Sequence, residues 1–287
     1  MAREKRRAVT VLAVALAALV AMGGGVAADR LRTPSGDAGT FAVQAIAPDY
    51  EVAAESAAPK RVAPKPKPKR VATATAARSV SCPAMPPVAS SSATAARAVK
   101  PRVRVYDRPE GSVTRTLTNP TIEGQPLHAL VHEQRGLWLR IQLVARPNGS
   151  TGWVKIVDFA RYQAPYRIVV QRCAKRLTVF NAGKAVWSRT VAVGKPATPT
   201  PKGSFFVDFV TAMPCCSYGP YMLSVAGFSE VLQRFGKDGI GQIAIHGTNA
   251  SWSIGKASSN GCVRMHNADV TALARLVPAG TPVTIVD

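Results

Sequence analysis

From Lys100 onward the chain alternates apolar and polar residues in short runs. "RVRVYDRP", "PLHALVHEQ", "LWLRIQLV" and "TGWVKIVD" each tend to place apolar residues at every second position, and "PEGS", "RG" and "RPNGS" separate them. A period of two predicts half-buried strands joined by turns. Several such strands in succession predict a small barrel over residues 100–161. A second β-rich unit is expected over residues 166–287. There "RIVVQRCAKRLTVFNAGKAVWSRTVAVG" reads as strand, turn, strand, turn, strand, with "NAGK" as a tight hairpin. "KPATPTPKGSFFVDF" then imposes an extended, bent connection before another strand. Late in the chain the period changes. Leu273, Leu276 and Val277 keep helical spacing, with Asn267 the expected N-cap, Asp269 in the first turn, and Pro278 and Gly280 as the stop. "TPVTIVD" closes as a strand. The expected fold class is mainly β, a small barrel followed by a β-rich domain with a late α-helix.

The first hundred residues follow another pattern. "MAREKRRAVTVLAVALAALVAMGGGVAADR" joins a basic head to an uncharged stretch from Ala8 to Ala28. That is the form of an export signal with small residues for cleavage after Ala28. It also approaches the ~20 apolar residues that span a bilayer, so residues 1–28 are expected to be a signal peptide or a membrane anchor. No Leu-x-x-Cys lipobox adjoins it. Residues 29–99 are expected to be a disordered tether. Its "APKRVAPKPKPKR" favours extended polyproline II, and "ASSSATAARA" adds a flexible section. At ~3 Å per residue such a tether reaches on the order of 100–200 Å, which would suit work within a cell wall.

Charge sharpens this picture. The formal net charge of the 287 residues is +21, and from Ser56 to Tyr106 there are eleven Lys or Arg and no acid. A run of this kind is commonly a solvated tail, and it favours an anionic surface. Anionic cell-envelope polymers are the expected partners of the tether, with no nucleic acid. The five cysteines, Cys82, Cys173, Cys215, Cys216 and Cys262, then fall in an oxidising compartment, where an odd count leaves at least one thiol unpaired or bonded between chains.

The chemistry concentrates in "IAIHGTNASWSIGKASSNGCVRMHNAD", from Ile243 to Asp269. "GQIAIHG" is a strand with Ile243 and Ile245 on one face and Ala244 and His246 on the other, and His246 stands at its end. "SSNGC" contains Asn-Gly, a strong turn signal, so Cys262 is presented at a bend whose amides can converge on an oxyanion. A nearby imidazole can take the thiol proton, and Arg264 favours the anion or holds a substrate carboxylate. An isolated His and Cys would more often be core residues; the flanking Ser259, Asn260, Gly261 and Arg264 tip the balance to acyl transfer. Zinc ligation by His246, His266 and the cysteines lacks the C-x-x-C or H-x-x-x-H spacing of a structural site. No cofactor and no metal are expected.

These residues resemble the L,D-transpeptidase family, the YkuD-type catalytic domain of bacterial cell-wall enzymes. The signature, a histidine, a spacer and Ser/Thr-x-Gly-Cys-x-Arg/Asn, is met by His246 and by Ser259-Asn260-Gly261-Cys262-Val263-Arg264; "AVGKPATPTPKGSF", "YGPYML" and "VPAGTPVTIVD" support it. The segment before it resembles bacterial SH3-like domains through Trp138, Leu139, Ile141 and Gly152-Trp153-Val154.

The resemblance implies an exported enzyme on peptidoglycan peptide stems, donor and acceptor. Cys262 would be the nucleophile, His246 the base, and the amides of Gly261 and Cys262 the oxyanion hole. Ser259 and Asn260 would shape the turn. Arg264, Tyr218 and Gly247 would meet substrate. Gly247 stands where some members have serine, so a backbone carbonyl would have to orient the imidazole. Adjacent cysteines rarely bond each other, so one of Cys215 and Cys216 is expected to pair with Cys173. Two alternatives remain at this stage: a wall-binding protein without activity, and a cysteine peptidase of the NlpC/P60 type. The latter places cysteine before histidine, whereas here His246 precedes Cys262.

Overall fold

The structure, a computed structural model, describes residues 81–213, 216–235 and 239–287. The stretch expected to be a signal peptide or membrane anchor, the Pro/Lys run and Cys215 lie outside the described residues.

The first unit is a sheet of seven short strands: β1 (Ala93–Ala98), β2 (Arg102–Tyr106), β3 (Val113–Thr118), β4 (His128–Arg135), β5 (Trp138–Gln142), β6 (Thr151–Lys155) and β7 (Phe159–Ala164). Their order is β3-β2-β6-β5-β4-β1-β7. Val103, Val105, Leu139, Ile141 and Val154 form its core from the alternate positions that the sequence pattern marks. Strand β1 lies inside the stretch expected to be tether. Its alanines carry no period-two signal, yet it pairs with both β4 and β7, so the backbone ladder specifies it. Ala95 and Ala96 are fully buried. A small side chain is required here: a Cβ placed on Gly280 of the second unit would lie 2.5 Å from the Cβ of Ala95.

The second unit contains β8 (Tyr166–Gln171), β9 (Arg176–Asn181), β10 (Lys184–Thr190), β11 (Val193–Gly194), β12 (Gly203–Ala212), β13 (Tyr221–Phe228), β14 (Gln242–His246), β15 (Ala257–Ser259), β16 (Val263–Arg264), α1 (Asn267–Leu276) and β17 (Pro282–Val286). Eight of these strands form one sheet in the order β10-β9-β8-β17-β12-β13-β14-β16, while β11 and β15 pair alongside. The β9–β10 hairpin turns through Ala182 and Gly183, both at positive φ, as the Asn-Ala-Gly-Lys run predicts. Strand β12 pairs with β17 along its first half and with β13 along its second. Its continuity joins the two halves of the sheet over a core that includes Phe205, Val207, Leu223, Ile245, Met265 and Leu273.

Two local expectations are corrected. Helix α1 is capped at His266, and Asn267 is its first helical residue. The Asn267 side chain instead accepts the Thr248 amide proton at 2.9 Å, tying the helix start to the loop after β14. Cys173 is bonded to Cys82, so neither Cys215 nor Cys216 pairs with it. The partner comes from 91 residues earlier in the chain, a distance that spacing alone does not reveal.

The two units pack together through Leu130, Phe206 and Ala226. Asn148 clamps the end of β13, donating to the Phe228 carbonyl and accepting from the Phe228 amide, each at 2.8 Å.

Candidate active site

Strand β14 carries His246 to the sheet's edge region, and β16 runs parallel beside it with Arg264 paired to His246. Cys262 is the residue just before β16, which places it alongside the last residues of β14. Six of the expected site residues, Tyr218, His246, Ser259, Asn260, Cys262 and Arg264, line one cavity of about 410 Å³. A larger hollow of about 750 Å³, beside Leu139 and Phe159 of the first unit, has no cysteine or serine in its wall. Volume alone does not locate the chemistry.

The turn that presents Cys262 is closed by its own serine. Ser259 is fully enclosed; its Oγ donates to the Cys262 carbonyl at 2.6 Å and accepts from the Gly261 amide at 3.1 Å. The Gly261 φ of +127° is open to glycine and strained for other residues. The bent Thr-Pro-Thr-Pro connection braces this turn from behind. Lys195 N–H and Thr198 Oγ1 both donate to the Ser259 carbonyl, and Gly194 N–H donates to Thr200 Oγ1.

His246 is 4% exposed, and its Nδ1 donates to the Gly247 carbonyl at 2.5 Å. Because a carbonyl only accepts, Nδ1 carries the proton and Nε2 is left with the lone pair. The Tyr218 ring covers the imidazole, with centroids 4.4 Å apart. Burial, reinforced by Arg264 and opposed by backbone hydrogen bonds at Gly247 and Tyr218, lowers His246 to about 4. Burial likewise raises the Cys262 thiol, against the smaller opposing effects of the Ala244 amide and Arg264. Both shifts favour the uncharged form, so the resting pair is a neutral thiol and a neutral imidazole. Such a pair has a base ready, and the thiolate forms as the proton moves.

Residues 165–285 match the L,D-transpeptidase catalytic domain of YkuD type. The Bacillus subtilis protein YkuD, classed with the L,D-transpeptidases, is 43% identical over 124 residues, covering 43% of this chain and 68% of its own. YqjB of the same bacterium, classed likewise, is 35% identical over 133 residues, covering 43% and 72%. The chain belongs to the L,D-transpeptidase family of enzymes. A solved L,D-transpeptidase 3 from Mycobacterium tuberculosis shares 15% identity over 50% of this chain and 76% of its own, with a TM-score of 0.37, too distant to add to that assignment.

Within the L,D-transpeptidase domain two expected roles change. The Gly261 amide is taken by Ser259 Oγ, so of the two amides expected to form an oxyanion hole only that of Cys262 is left unpaired among the described residues. Gly247 does not line the cavity. It orients the imidazole through its carbonyl and packs where nothing larger fits, since a Cβ there would lie 2.4 Å from Asn267 Oδ1 and 3.0 Å from the Gly219 Cα. Tyr218 lines the transpeptidase cavity, whereas Tyr221 packs against the core.

Arg234, Phe235, Thr248 and Asn249 also line the cavity, and sequence reasoning missed them. Thr248 and Asn249 directly follow His246-Gly247, which was a usable signal. Arg234 and Phe235 arrive from the segment between β13 and β14, and nothing in their spacing marks them.

Proposed function

We propose that this L,D-transpeptidase is exported and cross-links peptidoglycan stems through an acyl-thioester on Cys262. The observation that carries the reading is a buried imidazole, oriented at Nδ1 by the Gly247 carbonyl, lining one cavity with the Cys262 thiol. The Cys262 sulfur attacks the carbonyl of the third residue of a tetrapeptide stem as its proton passes to His246 Nε2. The oxyanion gathers at the Cys262 amide, with Arg264 adding positive charge nearby. Collapse breaks the amide C–N bond, His246 returns the proton to the departing nitrogen, and terminal D-alanine leaves. An amine of a second stem then attacks the thioester and gives its proton to His246. The C–S bond breaks, the sulfur recovers a proton, and a 3→3 cross-link remains. The broken amide's free energy is held in the thioester, so no nucleotide is consumed.

Export is supported by the apolar amino-terminal stretch and by the Cys82–Cys173 bond, which suits an oxidising compartment. The basic run from Ser56 to Tyr106 would hold the enzyme near anionic wall polymers. The first unit's short strands, closed over the Val103–Val154 core, are consistent with an SH3-like module that adheres to the wall.

Intact mass spectrometry of the chain incubated with a tetrapeptide-stem donor tests the reading. Loss of D-alanine with an acyl adduct on Cys262 is expected, as is no adduct in Cys262→Ala. Cross-linking that persists in Cys262→Ala would refute the thioester route, and cleaved stems without transfer to an amine would favour a peptidase.

A further inference from the structure

Cys262 has a second open side. With Tyr218 it also lines a cavity of about 290 Å³ whose walls include Met222, Phe235, Ile243, Glu123 and Gln242. Ile122, Glu123, Ile240 and Gln242 line in turn a neighbouring cavity of about 240 Å³ that contains Asp208. The two hollows share Ile122, Glu123, Ile240 and Gln242, so together they make a groove that leads from the thiol to Asp208, lined largely by apolar side chains with Thr116, Thr118, Thr121 and Ser224 among them. One wall comes from β12, β13 and β14. The other comes from the β3–β4 loop of the first unit, where Thr121 N–H bonds the Gln125 carbonyl and Gly124 N–H the Thr121 carbonyl, setting Glu123 on a closed turn.

The acidic end is incomplete. Asp208 is 4% exposed; its Oδ2 accepts from Gln242 Nε2 at 3.2 Å, and its Oδ1 has no partner among the described residues. Gln242 Nε2 is shared, donating also to Ser224 Oγ and the Val225 carbonyl. No salt bridge among the described residues involves Asp208 or Glu123. Burial raises Asp208 to about 6, the Gln242 hydrogen bond opposes this, and Glu123 adds to it. The carboxylate is therefore still mostly ionised at neutral pH. A buried carboxylate with an unmet oxygen, beside a second carboxylate, is costly until a cation arrives. In a chain of net charge +21 it has not been given one. The described residues hold no cluster of three metal-ligating side chains here, and the approach is lined largely by apolar side chains. An alkylammonium fits both, its methylenes along the apolar wall and its head at the acids.

The two sides of Cys262 also divide the reaction. Leaving nitrogen and incoming amine both exchange a proton with His246, so both occupy the cavity that holds His246 and Arg264. The acyl portion of the donor must then extend the other way. We propose that the groove takes the side chain of the donor residue whose carbonyl is attacked, and that Glu123 and Asp208 bind a primary ammonium at its end. Glu123 and Asp208 are thus specificity-determining residues for the donor. This rests on the acyl-transfer reading above.

The test compares three tetrapeptide donors that differ only at the third residue, carrying lysine, norleucine or Nε-acetyl-lysine, by the rate of adduct formation on Cys262. The lysine donor is expected to acylate about tenfold or more faster than the other two, the scale of a lost charge-assisted hydrogen bond. In Glu123→Gln, at an exposed position, that ratio is expected to fall severalfold; in Asp208→Asn, checked for folding by its melt, it should approach one. Equal rates for all three donors on the native enzyme, or an undiminished ratio in Glu123→Gln, would overturn the inference. A thiol left unmodified by every donor would instead overturn acyl transfer itself, and this inference with it.

Discussion

His246 Nδ1 donates to the carbonyl of Gly247, the next residue along the chain, at 2.5 Å. The orienting group for the base is thus local and carries no charge, and it stays in place whatever the pH. An imidazole held this way, buried under Tyr218, stays neutral well below the ordinary histidine range.

The pH dependence follows. His246 sits at about 4 in the fold against 6.5 ordinarily. Between those values the unfolded chain takes up a proton that the native state refuses, so this residue's contribution to stability is complete above about pH 6.5 and is lost as pH falls toward 4. The swing is on the order of 3 kcal/mol. Thermal melts from pH 7 to 4 should show a steeper loss for the native chain than for His246→Gln. The acid limb of kcat/KM should likewise lie near pH 4 to 5, and a limb near 6.5 would contradict a buried neutral base.

Ser259→Ala removes both bonds that close the nucleophile's turn and frees two backbone groups. Stability should fall by about 1–3 kcal/mol. Acylation of Cys262 should slow about tenfold or more, since misplacing a nucleophile by an ångström is costly. Stopped-flow acylation with a denaturation curve separates the two effects.

Gly247→Ala forces a Cβ to 2.4 Å from Asn267 Oδ1. The Gly247 carbonyl must shift, and His246 with it. A fall in kcat of about tenfold, with a destabilisation of about 1–3 kcal/mol, is expected. Unchanged kcat would show that the Gly247 carbonyl does not set the imidazole.

Reducing Cys82–Cys173, or replacing Cys82 with serine, opens a link spanning 91 residues. A loss of roughly 2–4 kcal/mol is expected. The Tm should drop by roughly 5–10 °C in a fold of this size. Acylation of Cys262 at 25 °C should be little changed, because neither sulfur lines the catalytic cavity.

How far the sequence carried differs by element. Strands β2 and β5 announce themselves through a period of two, since alternate residues are buried, and Gly-containing turns mark the β4–β5 and β9–β10 hairpins. Strand β1 does not. Its information lies in the absence of bulk at Ala95 and Ala96, and it becomes a strand because β4 and β7 leave a slot between them. Asn267 similarly has the composition of a cap, yet its side chain is claimed by Thr248 across the tertiary structure.

His246, Cys262 and Arg264 could be named from the chain alone because a nucleophile's turn requires small residues around it, and that local demand is written in consecutive positions. Their meeting, the neutral state of the imidazole, the loss of the Gly261 amide to Ser259, and the groove toward Glu123 and Asp208 depend on which strands lie side by side. Desolvation and hydrogen-bond competition are set by neighbours tens of residues away. Residue identity therefore determined which groups could react, and only the packing of β12, β13, β14 and β16 decided their protonation and what each one faces.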